Sequence, residues 1–188
     1  LIYKMGYTQY DKDGNIITPS DLQNKIQWCK DGEKIEEVFI DRYGKKLGLI
    51  INPEKVKNPY APDLMKGINY ADLKTQNTPF FKAKKLYNIA PTYAVVFNRK
   101  DAERYWKLYK NITIYFWVEW HSVKFEMGTF INEVDYISGV WKIPFKDLVT
   151  LLKDAPEHEY QQRIADKKGN AKSSFILDIR NPAFKKVV

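Results

Sequence analysis

Residues 112–120 constrain the fold of this chain most. Ile112, Ile114, Phe116, Val118 and Trp120 fall on alternate positions. A period of two puts all five on one face of a β-strand, and so large an apolar face must be covered by another layer. Tyr93-Ala-Val-Val-Phe97 predicts a further core strand, and Leu49-Ile50-Ile51 a short buried one. Gly139 to Ile143 and Ser174 to Ile179 predict two more, with a hairpin region between Trp120 and Gly139.

Helix signals lie between these runs. In Thr18-Pro19-Ser20-Asp21, Thr18 can cap, Pro19 suits the first helical position and Asp21 favours the positive N-terminus, which predicts a helix to about Lys30. A second runs from Gly32 to about Lys46, with Ile35, Val38 and Phe39 at helical spacing and Gly44 and Gly48 weakening its end. Pro79 to Tyr87, Lys100 to Tyr109 and Pro144 to Lys153 predict three more, the last with Leu148, Leu151 and Leu152 inward. Strands and helices mixed over 188 residues predict one α/β domain spanning 1–188.

Composition narrows the function classes. Thirty-one Lys and Arg against 23 Asp and Glu leave a net charge of +8, which suits a polyanionic partner such as nucleic acid. Apolar runs such as Ile114–Val118 are far shorter than the roughly 20 residues of a membrane span, so no membrane is expected, and Leu1-Ile-Tyr-Lys is too short an apolar start for a signal peptide. One cysteine, Cys29, excludes an internal disulfide and a thiolate zinc cluster, and points to a reducing, intracellular compartment. Two histidines, His121 and His158, leave little room for a multi-histidine metal site, and nothing near His121 forms a triad. The chain has no phosphate-binding glycine loop, no dinucleotide fingerprint and no Gly-x-Ser-x-Gly elbow.

The informative stretch is Pro62-Asp63 followed by Asp72-Leu73-Lys74. Asp63 to Lys66 and Tyr70 to Gln76, joined by the turn material Lys66-Gly67-Ile68-Asn69, predict a β-hairpin. Asp72, Lys74 and Gln76 would then share one strand face, with Asp63 on the neighbouring strand within reach. Two converging carboxylates repel unless a cation lies between them. A hard divalent ion such as Mg²⁺ answers that need and can activate a water against a phosphodiester. Lys74 beside it would orient or help deprotonate the water and offset phosphate charge.

These residues resemble the PD-(D/E)XK nuclease superfamily, which includes restriction endonucleases, Holliday junction resolvases and phage nucleases. The resemblance covers about residues 32–120 in element order. It implies a restriction-endonuclease-like core, a central mixed β-sheet flanked by helices. It also implies a Mg²⁺-dependent DNA endonuclease, Mn²⁺ substituting, that leaves 5′-phosphate and 3′-hydroxyl ends. Asp63 and Asp72 would hold the metal, with the Leu73 carbonyl facing it, and Lys74 would be catalytic. The family's helix glutamate maps to Glu36, four residues after Gly32, with Glu33 and Glu37 as alternatives. Gln76 stands where related nucleases place a polar residue.

Lys82, Lys84 and Lys85 follow the Lys74 strand, and Lys172 lies in a polar loop from Asp166. Beside a metal site these lysines and Gln76 are expected to contact DNA, RNA being the other substrate open to such a site. Phe80, Phe81, Tyr87, Trp106, Trp117, Trp120 and Trp141 read as packing residues. A homodimer would suit two-strand cutting. The rival reading is a non-catalytic nucleic-acid-binding or interaction protein whose acidic pair is ordinary surface charge.

Overall fold

A computed structural model describes residues 6–17, 34–160 and 173–188. The helix expected from Thr18, Cys29, Glu33, Lys172 and the loop from Asp166 lie outside the described residues.

Two short strands, β1 (Thr8–Tyr10) and β2 (Ile16–Ile17), open the chain. Helix α1 (residues 34–39) continues through a π-helical turn, Ile40–Gly44, into α2 (Lys45–Leu47). The Leu49 N–H donates to the Gly44 carbonyl at 2.9 Å, and Gly48 ends the helix at φ +68°, a conformation glycine adopts without steric cost. Gly44 is therefore inside the helix and Gly48 is its stop.

There follow β3 (Ile50–Ile51), a 3₁₀ turn (Pro53–Val56), and the hairpin β4 (Leu64–Lys66) and β5 (Asn69–Gln76). The expected turn is present: Lys66 pairs with Asn69, and Gly67 sits at positive φ. Next come α3 (Ala83–Tyr87), β6 (Ala94–Asn98), α4 (Arg99–Leu108) and β7 (Thr113–Glu119). The chain ends with β8 (Lys124–Met127), β9 (Phe130–Glu133), β10 (Ser138–Pro144), α5 (Phe145–Leu152), β11 (Glu157–His158), β12 (Ser174–Asp178) and β13 (Lys185–Lys186).

The main sheet is mixed, in the order β13-β10-β7-β5-β4-β3. Only β5 and β7 run parallel; parallel neighbours need a long crossover, here α3, β6 and α4. Beside it lie a sheet β11-β12-β6 and another, β2-β1-β8-β9. Strand β7 is the axis of the core. Ile114, Phe116 and Val118 face Val95 and Phe97 of β6, Tyr105 of α4, and Phe145 and Leu148 of α5. Tyr115 and Trp117 face the other way, onto Phe39 of α1 and Leu47 of α2. Trp120 is 1% exposed and its indole N–H donates to the Thr92 carbonyl at 3.0 Å.

Three expectations need correction. Of Leu49-Ile50-Ile51 only Leu49 is buried; β3 is an edge strand and both isoleucines are exposed. The helix expected from Pro79 begins at Ala83. Trp106 is 55% exposed, because α4 turns Tyr105 into the core and its neighbour outward. The β1–β2 hairpin was not legible, its strands being two and three residues long. No helix among the described residues is long and apolar enough to cross a membrane.

Candidate active site

Asp63 comes immediately before β4 and Asp72 lies in β5, so the hairpin register brings them to one place. Asn52 fixes the entry to this hairpin. It is fully buried: its Nδ2 donates to the Pro62 carbonyl at 2.9 Å, its Oδ1 accepts from the Glu54 N–H at 3.0 Å, and its own N–H donates to the Asp63 carbonyl at 2.9 Å. The 3₁₀ turn is thereby tied to Pro62-Asp63, and Lys55 is aimed back at the carboxylates. Lys55 Nζ donates to Glu36 Oε1 at 2.7 Å and Oε2 at 2.5 Å, and to Asp63 Oδ1 at 2.7 Å. Asp63 Oδ2 accepts a long bond, 3.4 Å, from the Leu73 N–H. Glu36, a turn before the π-helical stretch, is thus the helix glutamate that reaches the hairpin; Glu37 is exposed.

Asp72 and Lys74 share a face of β5, as the period of two requires. Lys74 Nζ lies 2.6 Å from Asp72 Oδ2 and 2.7 Å from Asp101 Oδ2, in the first turn of α4. It also lies 5.9 Å from the ring centres of Phe97 and Tyr105. One turn on, Arg104 pairs with Asp101 Oδ1 at 3.0 Å and donates to Tyr105 Oη at 2.9 Å. Burial works against the Lys74 charge, but Asp72, Tyr105, Asp101 and Asp63 around it hold its pKa well above the usual lysine value. Lys74 is a cation at neutral pH.

Asp72 is 1% exposed, and burial pushes its pKa up, against the pull of the Lys74 ammonium. Its Oδ2 is held by the Lys74 ammonium at 2.6 Å, so the buried carboxylate has its counter-charge within the fold. The cluster as a whole sets four carboxylates (Glu36, Asp63, Asp72, Asp101) against three cations (Lys55, Lys74, Arg104). It is formally negative in a chain of charge +8.

Among the described residues no three His, Cys, Asp or Glu side chains stand together so as to hold a metal ion. The donor chemistry nevertheless fits a hard divalent cation. An ammonium lies between Glu36 and Asp63 where two carboxylates would otherwise repel, and Asp72 Oδ2 holds a second ammonium at 2.6 Å. The cation positions are held by Lys55 and Lys74.

The expected nucleic-acid contacts are placed differently. Gln76 is bound within the fold: its Nε2 donates to the Ala94 carbonyl at 3.1 Å, and its Oε1 accepts from the Val96 N–H at 3.1 Å. It acts as a strand residue joining β5 to β6. Lys84 and Lys85 are exposed on α3, which packs through Ala83 on Ala94 and Ile176, and Lys84 Nζ donates to Asn88 at 2.5 Å. Among the described residues, Lys82, Lys84 and Lys85 make no ion pair with the carboxylate cluster.

Sequence reasoning missed Lys55 and Asp101. An acidic residue in a first helical turn reads as an ordinary partner of the helix dipole, which hides Asp101. The buried Asn52-Pro53 cap that aims Lys55 was the available signal. The chain matches no protein-family model, and no curated protein or solved structure matches it.

Proposed function

We propose that this chain is a Mg²⁺-dependent DNA endonuclease of PD-(D/E)XK type with a restriction-endonuclease-like core. One observation carries the reading: the buried Asp72–Lys74 pair on β5 lies beside Asp63 and, through Lys55, Glu36. The element order agrees with it, since a helix bearing Glu36 precedes a hairpin bearing Asp63 and Asp72-Leu73-Lys74, and a helix and a strand parallel to β5 follow.

Glu36, Asp63 and Asp72 would hold the metal, with the Leu73 carbonyl a further oxygen. The bound ion would supply an acidified water and neutralise charge on the attacked phosphodiester. The protein's own part is electrostatic. Lys74, charged and braced by Asp101, offers a fixed positive group where phosphate charge grows. Its raised pKa makes it a poor proton acceptor, so it orients the water and stabilises charge rather than removing the proton. Arg104 holds Asp101, and the Tyr105 ring lies against Lys74.

The rival reading, a non-catalytic nucleic-acid-binding protein, has its own support: each carboxylate of the cluster already faces a Lys or Arg, as in a structural ion network. A cleavage time course separates the two. Wild type, Lys74→Ala and Asp72→Asn are incubated with Mg²⁺, Mn²⁺ or EDTA on supercoiled plasmid, linear DNA, a four-way junction and RNA. The nuclease reading expects metal-dependent cutting lost in both variants. Absence of cutting on every substrate, with DNA binding intact, overturns it in favour of the rival.

A further inference from the structure

Helices α1 and α2 cover one face of the main sheet only in part. Beyond Leu73, Tyr115, Trp117 and Val140, the same face runs into an open groove of about 740 Å³. Lys66, Lys142 and Lys185 line it, with Thr113 and Tyr115 as floor and Asp147 on one side. The three lysines sit on three strands: β4, β10 and β13. None of them forms an ion pair among the described residues.

Two features point to an anion. First, Lys142 and Lys185 are directly opposite each other across the β10–β13 ladder. Like charges in that position destabilise a sheet. Their neighbours across the same ladder, Trp141 and Lys186, make a compatible pair instead, with Nζ 5.1 Å from the ring centre. Second, the lysines are spread across the sheet. From β4 to β13 the sheet order β4-β5-β7-β10-β13 takes four strand steps, roughly 19 Å at about 4.8 Å each. One phosphate cannot bridge that distance, whereas a nucleic-acid strand carries a charge about every 3.4 Å of axis.

We infer that this groove binds the phosphodiester backbone of a nucleic acid, through Lys66, Lys142 and Lys185, away from the Asp72–Lys74 centre. The choice of nucleic acid among polyanions rests on the proposed function. The Thr113 hydroxyl adds a donor on the floor, and phosphates at a fixed interval meet all three ammonium groups whatever the base sequence.

The test measures binding of a fluorescein-labelled 30-base-pair duplex by anisotropy, in EDTA, from about 50 to 200 mM salt. Lys66, Lys142 and Lys185 are changed together to Gln. Each phosphate contact contributes about 0.9 to the slope of log K against log salt. The triple variant is expected to lose about 2–3 from that slope and to bind about 100-fold or more weakly near 0.1 M salt. Its thermal stability should be equal or higher, since an opposed pair of like charges is gone. Protection of the three wild-type lysines from acetylation by bound duplex, read by mass spectrometry, serves if the variant does not fold.

An unchanged slope, or unprotected lysines, overturns the inference even if the wild type cuts DNA. Cutting lost in Asp72→Asn with the slope unchanged in that variant supports both readings separately. No cutting, with a slope that still depends on the three lysines, removes the nuclease reading and leaves the groove. Displacement of duplex by poly-glutamate at equal charge concentration overturns the nucleic-acid assignment in favour of an acidic polypeptide.

Discussion

Lys55→Met removes a cation while keeping much of its volume. In the wild type this ammonium lies 2.5 Å from Glu36 and 2.7 Å from Asp63, and all three side chains are a fifth or less exposed, at 19%, 17% and 20%. Breaking a fully buried pair costs about 3–5 kcal/mol, because the abandoned charges stay desolvated. Partial exposure reduces that here to roughly 2–3 kcal/mol, with two carboxylates left facing each other. For a chain of this size such a loss lowers Tm by about 5–10 °C. The pH dependence of the wild-type pair follows from the lysine. Burial opposes its charge, Asp63 and Glu36 outweigh burial, and its pKa is raised, so its contribution is full below the ordinary lysine value and lost only as pH climbs through the raised one. The variant also tests the metal. If Glu36 and Asp63 are ligands, Mn²⁺ replaces the missing charge, and an ion at 100 times its Kd restores about 2.7 kcal/mol. Differential scanning fluorimetry from pH 4 to 8, with and without Mn²⁺, reads all of this, and Mn²⁺ resonance counts bound ions directly. A Tm within about 1 °C of wild type would refute the energetic reasoning. An equal Mn²⁺ response in both proteins would refute the placement of the ion between Glu36 and Asp63.

Trp120→Ala empties a fully packed site and orphans the Thr92 carbonyl, and should cost about 3–5 kcal/mol in guanidinium unfolding; a loss under about 1 kcal/mol would contradict the packing. Gln76→Ala strips partners from the Val96 N–H and the Ala94 carbonyl, with an expected cost of about 1–3 kcal/mol and faster amide exchange at Val96. His158 sits among Phe80, Tyr87 and Tyr160, 2.7 Å from the Tyr87 hydroxyl; burial first, and then Lys82, lower its pKa. The unfolded chain binds this proton more tightly, so stability should rise with pH up to about 6.5. In His158→Phe the Tm between pH 5 and 7 should be flatter, and an unaltered slope would place the titrating group elsewhere.

Much of the hairpin was readable because it is local. Lys66-Gly67-Ile68-Asn69 closes a turn between two short strands, and alternation alone puts Asp72 beside Lys74. Glu36 was harder. Helical spacing told which side it shares with Phe39 and Ile40, but not that Lys55 would bring Asp63 to it. Gln76 shows the limit from the other side. A polar residue at the end of a strand reads as free for a ligand, yet its amide completes hydrogen bonds to a strand some 20 residues further on. Trp106 misled in the same way, since composition counts a tryptophan as core and only the rotation of α4 decides that Tyr105 takes that place.

The sequence by itself determined the periodicities: the apolar faces of 112–120 and 93–97, the hairpin turn, the common face of Asp72 and Lys74, and the charge of +8. These follow from covalent geometry and from the need to bury apolar area within a few residues. Only the tertiary structure decided which elements meet. It brought Asp101 of α4 to Lys74, Lys55 between Glu36 and Asp63, and three lysines from β4, β10 and β13 along one groove. Those pairings join residues as far as 119 positions apart, Lys66 and Lys185 among them. Local preference cannot specify them, because they depend on the order of strands in the sheet and on how its two faces are covered.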